Sequence, residues 1–216
     1  MPTTTTAPHQ DQPIYQAGRP LADATAAMIM VHQRGGRADA FLNLAQQLYH
    51  PDLAYLAPQA GGYTWYPYSF LAPIPNNEPG ISSGIQALTD LVADIEANGI
   101  PADKIIIAGF SQGACLAAEF VARHGRPLGG LIAFSGGLIG PDNTPRDYDG
   151  NLSGMPIFLG CSDVDNHVPL TRVNETDETF TRMGASVTKR IYPGMAHTIN
   201  DDELQLANQL INNSLA

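Results

Sequence analysis

Lys104-Ile105-Ile106-Ile107-Ala108-Gly109-Phe110-Ser111-Gln112-Gly113-Ala114-Cys115-Leu116-Ala117-Ala118 runs from a β-branched apolar segment into a helical one across a glycine-flanked serine. The three isoleucines form a run too short for a helix and of the kind that marks a strand buried on both faces. From Ala114 onward the small and apolar residues Leu116, Ala117, Phe120 and Val121 repeat at helical spacing as far as His124 and Gly125. A strand therefore enters a helix through a turn with Ser111 at its corner. Such a turn strains the serine backbone and lifts its hydroxyl clear of the sheet. Gly109 and Gly113 remove side chains that would collide there.

With 21 glycines in the chain, a bare Gly-x-Ser-x-Gly arises by chance in about one such sequence in ten. The strand before it and the helix after it supply the context that a nucleophile elbow requires. The competing reading is a glycine-rich turn with a serine N-cap, and the partners of Ser111 decide between the two.

Working outward, apolar strand-like runs occur at residues 26–31, 53–57, 130–135, 155–161 and 187–192, with an edge strand expected at 14–17. Helical patterns cover 39–49, 81–98, 170–183 and 201–212. Strands alternating with helices predict an α/β fold with a mostly parallel central sheet covered on both faces. Residues 136–154 are too short and too rich in Gly and Pro for a large cap domain. One domain is expected over 14–216, preceded by a mobile Thr- and Pro-rich tail over 1–13.

Binding sites of such sheets lie beyond the carboxyl ends of the strands, which selects two further loops. His197 follows the strand ending at Tyr192, and Asp163 and Asp165 follow the one ending at Cys161. The order Ser, Asp, His is that of a hydrolase built on this elbow. His197 would take the Ser111 proton, and one of the two aspartates would hold the imidazole in the right tautomer while the other shapes the turn.

Composition narrows the partners. The formal net charge of −10 in 216 residues argues against nucleic acid and anionic membrane surfaces. The 44% hydrophobic and 15% charged content is that of a folded chain with a buried core. No stretch has the length and apolarity of a membrane span. Residues 1–12 lack the basic start and apolar run of a signal peptide. The two cysteines, Cys115 and Cys161, are too few for a disulfide framework, so a cytoplasmic protein with free thiols is expected.

The chain after the tail resembles the phospholipase/carboxylesterase family of the α/β-hydrolases, which includes acyl-protein thioesterases and small carboxylesterases. The resemblance is carried by Gly109-Phe110-Ser111-Gln112-Gly113-Ala114, by Asp163 to Pro169, and by Tyr192-Pro193-Gly194-Met195-Ala196-His197. It implies an α/β-hydrolase fold, no metal or other cofactor, a small-molecule ester substrate and a homodimer. It also implies that Asp165, three residues before Val168-Pro169, is the acid. By the same resemblance the oxyanion is held by the backbone N–H groups of Gln112 and of Arg34, in the loop His32-Gln33-Arg34-Gly35-Gly36. His32, Gln33, Trp65 and Tyr66 are the expected substrate-binding residues, with a purely structural role in fixing the loop as the other reading of His32. Tyr68, Phe70 and Leu71 are further candidates for an apolar pocket wall. Three positions depart from the pattern: Gln33 and Ala196 replace glycines, and Asn166 replaces a proline. The activity implied is a serine carboxylesterase for short acyl esters. A thioesterase or lysophospholipase and a non-catalytic binding protein on the same fold are the alternatives.

Overall fold

The computed structural model of the protein describes residues 7–216. Seven strands, β1 (Ile14–Gly18), β2 (Ala26–Val31), β3 (Leu53–Pro58), β4 (Ile105–Phe110), β5 (Gly130–Phe134), β6 (Pro156–Ser162) and β7 (Ser186–Tyr192), form one sheet in the order β1-β3-β2-β4-β5-β6-β7. All neighbours pair in parallel except β1, which runs antiparallel to β3 at one edge. From β2 the chain crosses to β3 on one side and then returns to place β4 on the other. The sheet's switch point therefore lies between β2 and β4, where a crevice opens beyond the strand ends.

Period-two alternation explains why β4 is apolar at every position. Ile105 and Ile107 face a core shared with α2 (Gly80–Ala97), α3 (Gln112–His124) and α4 (Leu170–Arg182), through Leu91, Ile95, Leu116, Phe120 and Phe180. Ile106 and Ala108 face the opposite core, with Phe134, Phe158 and, from α5 (Asp201–Leu215), Leu210 and Ile211. A strand covered on both faces has no polar side to show.

Two expectations change. Residues 39–49 do not form one α-helix: a single α-turn, α1 (Ala38–Phe41), tightens into a 3-10 segment, Leu42–Gln46. The buried residues there are Leu42, Ala45 and Leu48, spaced by three, and three residues per turn is the period that stacks them on one side. The tail expected over 1–13 is not free where it is described. Residues 1–6 lie outside the described residues, and His9 is buried against the body. Its amide donates to Ser83 Oγ at 3.0 Å, its Nε2 lies 2.8 Å from the Trp65 carbonyl, and its Nδ1 accepts the Gly61 amide at 3.1 Å. With Nδ1 as the acceptor, Nε2 must carry the proton, and burial holds the imidazole below its ordinary pKa.

Residues 136–154 form an irregular loop that folds back on α3 and α4. The Ile139 amide donates to Glu119 Oε2, and the buried Arg172 guanidinium donates to the Leu138 and Gly140 carbonyls. It contributes no cap over the sheet's carboxyl ends.

Candidate active site

Ser111 sits between β4 and α3 with φ 55° and ψ −119°, a conformation that L-residues with a Cβ adopt only under strain. Its amide donates to the Phe134 carbonyl of the neighbouring strand, and its carbonyl accepts the Cys115 amide as the first bond of α3. The flanking glycines are required by space. A Cβ on Gly113 would lie 2.0 Å from the Val31 carbonyl oxygen, and one on Gly109 would lie 2.7 Å from backbone atoms of Gly113 and Ala114. The start of α3 thus presses directly on the end of β2.

Two more strand ends bring their loops to the same point. His197 Nε2 is 2.9 Å from Ser111 Oγ, and His197 Nδ1 is 2.6 Å from Asp165 Oδ2. An aspartate oxygen can only accept, so Nδ1 carries the imidazole proton and Nε2 is left as the acceptor of the serine hydroxyl. Asp165 Oδ1 accepts the amides of His167 at 2.7 Å and Val168 at 3.0 Å. Burial would raise this carboxyl. The bonds from His197, His167 and Val168 outweigh it and hold the pKa below the ordinary aspartate value.

Asp163 is exposed and does something else: its Oδ1 accepts the Gly194 amide at 2.8 Å, joining the acid loop to the histidine loop. Of the two aspartates, Asp165 is the one beside the imidazole. Beyond His197 the chain enters α5 through a capping box, in which Asn200 Oδ1 accepts the Glu203 amide and Glu203 Oε2 accepts the Asn200 amide, both at 2.9 Å.

Ser111 and His197 open onto a pocket of about 550 Å³, lined also by Gln33, Arg34, Tyr68, Phe70, Phe110, Gln112, His167 and Val168. Gln33, the residue that replaces a glycine, does face this space, and its Oε1 is buried without a protein partner.

His32, Trp65 and Tyr66, expected to bind substrate, do not line the pocket; all three are buried beneath it. The His32 ring locks its own loop, with Nδ1 2.7 Å from the Gln33 carbonyl and Nε2 accepting the Ala60 amide at 3.0 Å. Burial lowers its pKa, in keeping with a neutral ring that accepts at Nε2. Trp65 packs between the rings of His9 and His32, and its Nε1 donates to the His32 carbonyl at 2.9 Å. Tyr66 is enclosed beside Cys115, and burial raises its phenol well above the ordinary value. These aromatics hold up the pocket floor from below. The walls come instead from Tyr68 and Phe70, already candidates, and from Phe110 and His167. The His197 ring lies between the last two, with centroids 4.9 Å and 4.7 Å away.

His167 was not singled out from the sequence, although its place beside the acid at a strand's carboxyl end was a usable signal. Both thiols are buried and raised to about 12, so Cys115, at the pocket floor, is a neutral core residue.

Residues 19–215 match the family described as Phospholipase/Carboxylesterase. A crystal structure of a phospholipase/carboxylesterase from Dyadobacter fermentans superposes with a TM-score of 0.90 at 43% identity, over 95% of this chain and 97% of that one. The esterase PE8 is 26% identical, over 94% and 97% of the two chains, with a TM-score of 0.76. The acyl-protein thioesterase 1 of Debaryomyces hansenii is 31% identical, over 89% of this chain and 92% of its own. No helix among the described residues is long and apolar enough to cross a membrane. Sheet order, elbow and matched length lead to one assignment: the chain belongs to the phospholipase/carboxylesterase family and has the α/β-hydrolase fold.

Proposed function

We propose that the protein is a serine carboxylesterase that hydrolyses short-chain carboxylic esters through an acyl-enzyme intermediate. The observation that carries this reading is the unbroken line from Ser111 Oγ to His197 Nε2 at 2.9 Å and from His197 Nδ1 to Asp165 Oδ2 at 2.6 Å. Ser111 Oγ attacks the ester carbonyl as its proton passes to His197 Nε2, and Asp165 stabilises the resulting imidazolium. The carbonyl oxygen, now negative, is held by the amides of Gln112 and Arg34, with the N-terminus of α3 adding its dipole. Collapse expels the alcohol, which takes the proton back from His197. Water then attacks the acyl-serine by the same route, with His197 as base, and the acid leaves.

A preference for short acyl groups is supported by the pocket's make-up. Gln33, Arg34 and His167 interrupt its apolar surface, and the loop over residues 136–154 adds no cap to extend it. The likeness to the D. hansenii acyl-protein thioesterase favours thioester hydrolysis as a second reading. A cytoplasmic setting goes with either, supported by the two buried free thiols.

The test is labelling with a fluorophosphonate probe together with hydrolysis of p-nitrophenyl esters and acyl thioesters of matched chain length. Butyrate ester cleaved faster than palmitoyl ester or thioester, with labelling and turnover abolished by Ser111→Ala, is the expected result. Faster cleavage of the long thioester would replace the first reading with the second, and a wild type that neither labels nor turns over would sink both.

A further inference from the structure

The two residues whose amides would hold the oxyanion, Arg34 and Gln112, come from different strand ends and have side chains that converge on one short segment. Gln112 Oε1 accepts the Trp65 amide at 2.9 Å and lies 3.1 Å from Thr64 Oγ1, while Gln112 Nε2 donates to the Tyr66 carbonyl at 2.8 Å. Arg34 Nη1 donates to that same Tyr66 carbonyl at 2.9 Å, to the Pro67 carbonyl at 2.8 Å and to Thr64 Oγ1 at 3.2 Å, and Nη2 donates to the Tyr68 carbonyl.

The Tyr66 carbonyl oxygen thus accepts from both of these side chains. Thr64 Oγ1 accepts from Arg34 and itself lies 3.0 Å from the Tyr66 carbonyl and 3.1 Å from Gln112 Oε1. Thr64 thereby becomes a second bridge between the two residues. The acceptors of the guanidinium are all neutral oxygens, gathered around Nη1 and Nη2. Arg34 thus ties the pocket wall to the backbone of residues 66–68 through these two nitrogens.

We infer that the Arg34 and Gln112 side chains are positioning residues for the oxyanion hole: by clamping residues 64–68 between them, they fix the spacing of their own two amides. This rests on the esterase reading above. The physical requirement is plain, because a preorganised pair of N–H groups acts on the transition state only if neither has to move to meet it. Residues 33–36 have little else to hold them on the pocket side. Gly35 has φ 69°, and the loop's other ties include the His32 ring, the Gly36 amide, the Gly36 carbonyl, which accepts from Gln59 Nε2 at 3.5 Å, and the Gly35 amide, which donates to the Tyr63 carbonyl beside the same clamp.

The experiment compares wild type with Arg34→Met, Arg34→Lys, Gln112→Met and the Arg34→Met/Gln112→Met double variant. The measurements are kcat and KM on p-nitrophenyl butyrate, the inhibition constant of a trifluoromethyl ketone that forms the tetrahedral adduct, and hydrogen exchange of residues 33–36 and 64–68. Each methionine variant is expected to lose about 10- to 100-fold in kcat, with KM within about twofold. Affinity for the ketone should fall in proportion, and exchange should rise in both segments. Arg34→Lys, which keeps donors but not the planar fork, should fall between wild type and Arg34→Met. The double variant should cost little more than the worse single one, because both side chains act through one segment. Variants of an active wild type that keep kcat and ketone affinity, or whose losses multiply, would overturn the clamp alone. A wild type without esterase activity or ketone binding would overturn the clamp together with the reading beneath it.

Discussion

Asp163 Oδ1 accepts the Gly194 amide at 2.8 Å, so the loop that presents the acid also tethers the loop that presents the histidine. One exposed hydrogen bond of this kind is worth about 1 kcal/mol. Asp163→Ala should therefore lower kcat/KM by roughly 3- to 10-fold, while Asp163→Asn, whose amide oxygen still accepts, stays near wild type. Asp165→Asn removes the carboxylate that fixes the imidazole tautomer and should cost about 10³- to 10⁴-fold. Steady-state kinetics on p-nitrophenyl butyrate decides the matter, and an Asp163→Ala loss as deep as that of Asp165→Asn would reverse their roles.

Ser111 holds φ 55° and ψ −119°, a geometry glycine adopts freely. Replacing it with glycine relieves about 1–2 kcal/mol of backbone strain. Ser111→Gly should be inactive and should melt about 2–6 °C above wild type. Calorimetry checks this, and a melting temperature at or below that of the wild type would mean that the elbow stores no strain.

Gly113→Ala drives a Cβ to 2.0 Å from the Val31 carbonyl oxygen and 2.5 Å from that of His32. Both acceptors are backbone, so strand β2 and helix α3 must part, at a cost of about 3 kcal/mol or more. Gly35→Ala meets no atom within 4 Å and suffers only from its φ of 69°, a penalty of about 1 kcal/mol. Denaturant titration of the two variants should show this ordering, and equal losses would contradict it.

Glu203 caps α5 with one carboxylate oxygen while the other, Oε1, is buried without a partner. Burial, together with the neighbouring Asp202 charge, outweighs the Asn200 amide bond and raises the carboxyl to about 7 from an ordinary 4.5. The folded protein thus holds this proton more tightly than the unfolded chain does. That contribution to stability is complete below about pH 4.5 and is lost as the pH rises through about 7. Asp165 acts in the opposite sense: its lowered pKa gives stability that is present above 3.8 and is lost as the pH falls. Melting curves of wild type and Glu203→Gln should coincide below about pH 4.5 and diverge by about 10 °C in the variant's favour at pH 8. A constant offset across that range would show that Glu203 does not titrate there.

The elbow was legible because its chemistry is written in spacing: a strand, a serine between two glycines, and a helix leave little choice of backbone. The sheet was legible for the same reason, since β2 through β6 are apolar at almost every position and only a strand buried on both faces tolerates that. The acid was not decided by residue type, because Asp163 and Asp165 both stand at a strand's carboxyl end, and the resemblance to a family pointed to Asp165. Trp65 and Tyr66 were misplaced because an aromatic in a long loop reads the same whether it walls a pocket or supports one. What separates them is the Trp65 bond to the His32 carbonyl, a contact across 33 positions. His9 was missed for a like reason: nothing local distinguishes a lone histidine in a polar segment from one whose two ring nitrogens meet Trp65 and Gly61.

The switch between β2 and β4 also sets an order in time. The loop at residues 32–36 and its clamp at 64–68 leave the ribosome first, Ser111 follows, and His197 comes 86 positions after it, held by a turn that α5 caps. A nascent chain can therefore assemble most of the sheet and still possess no base. Its strained serine remains an ordinary alcohol until His197 has been added, so a product cut short before that point carries the elbow without the power to acylate itself.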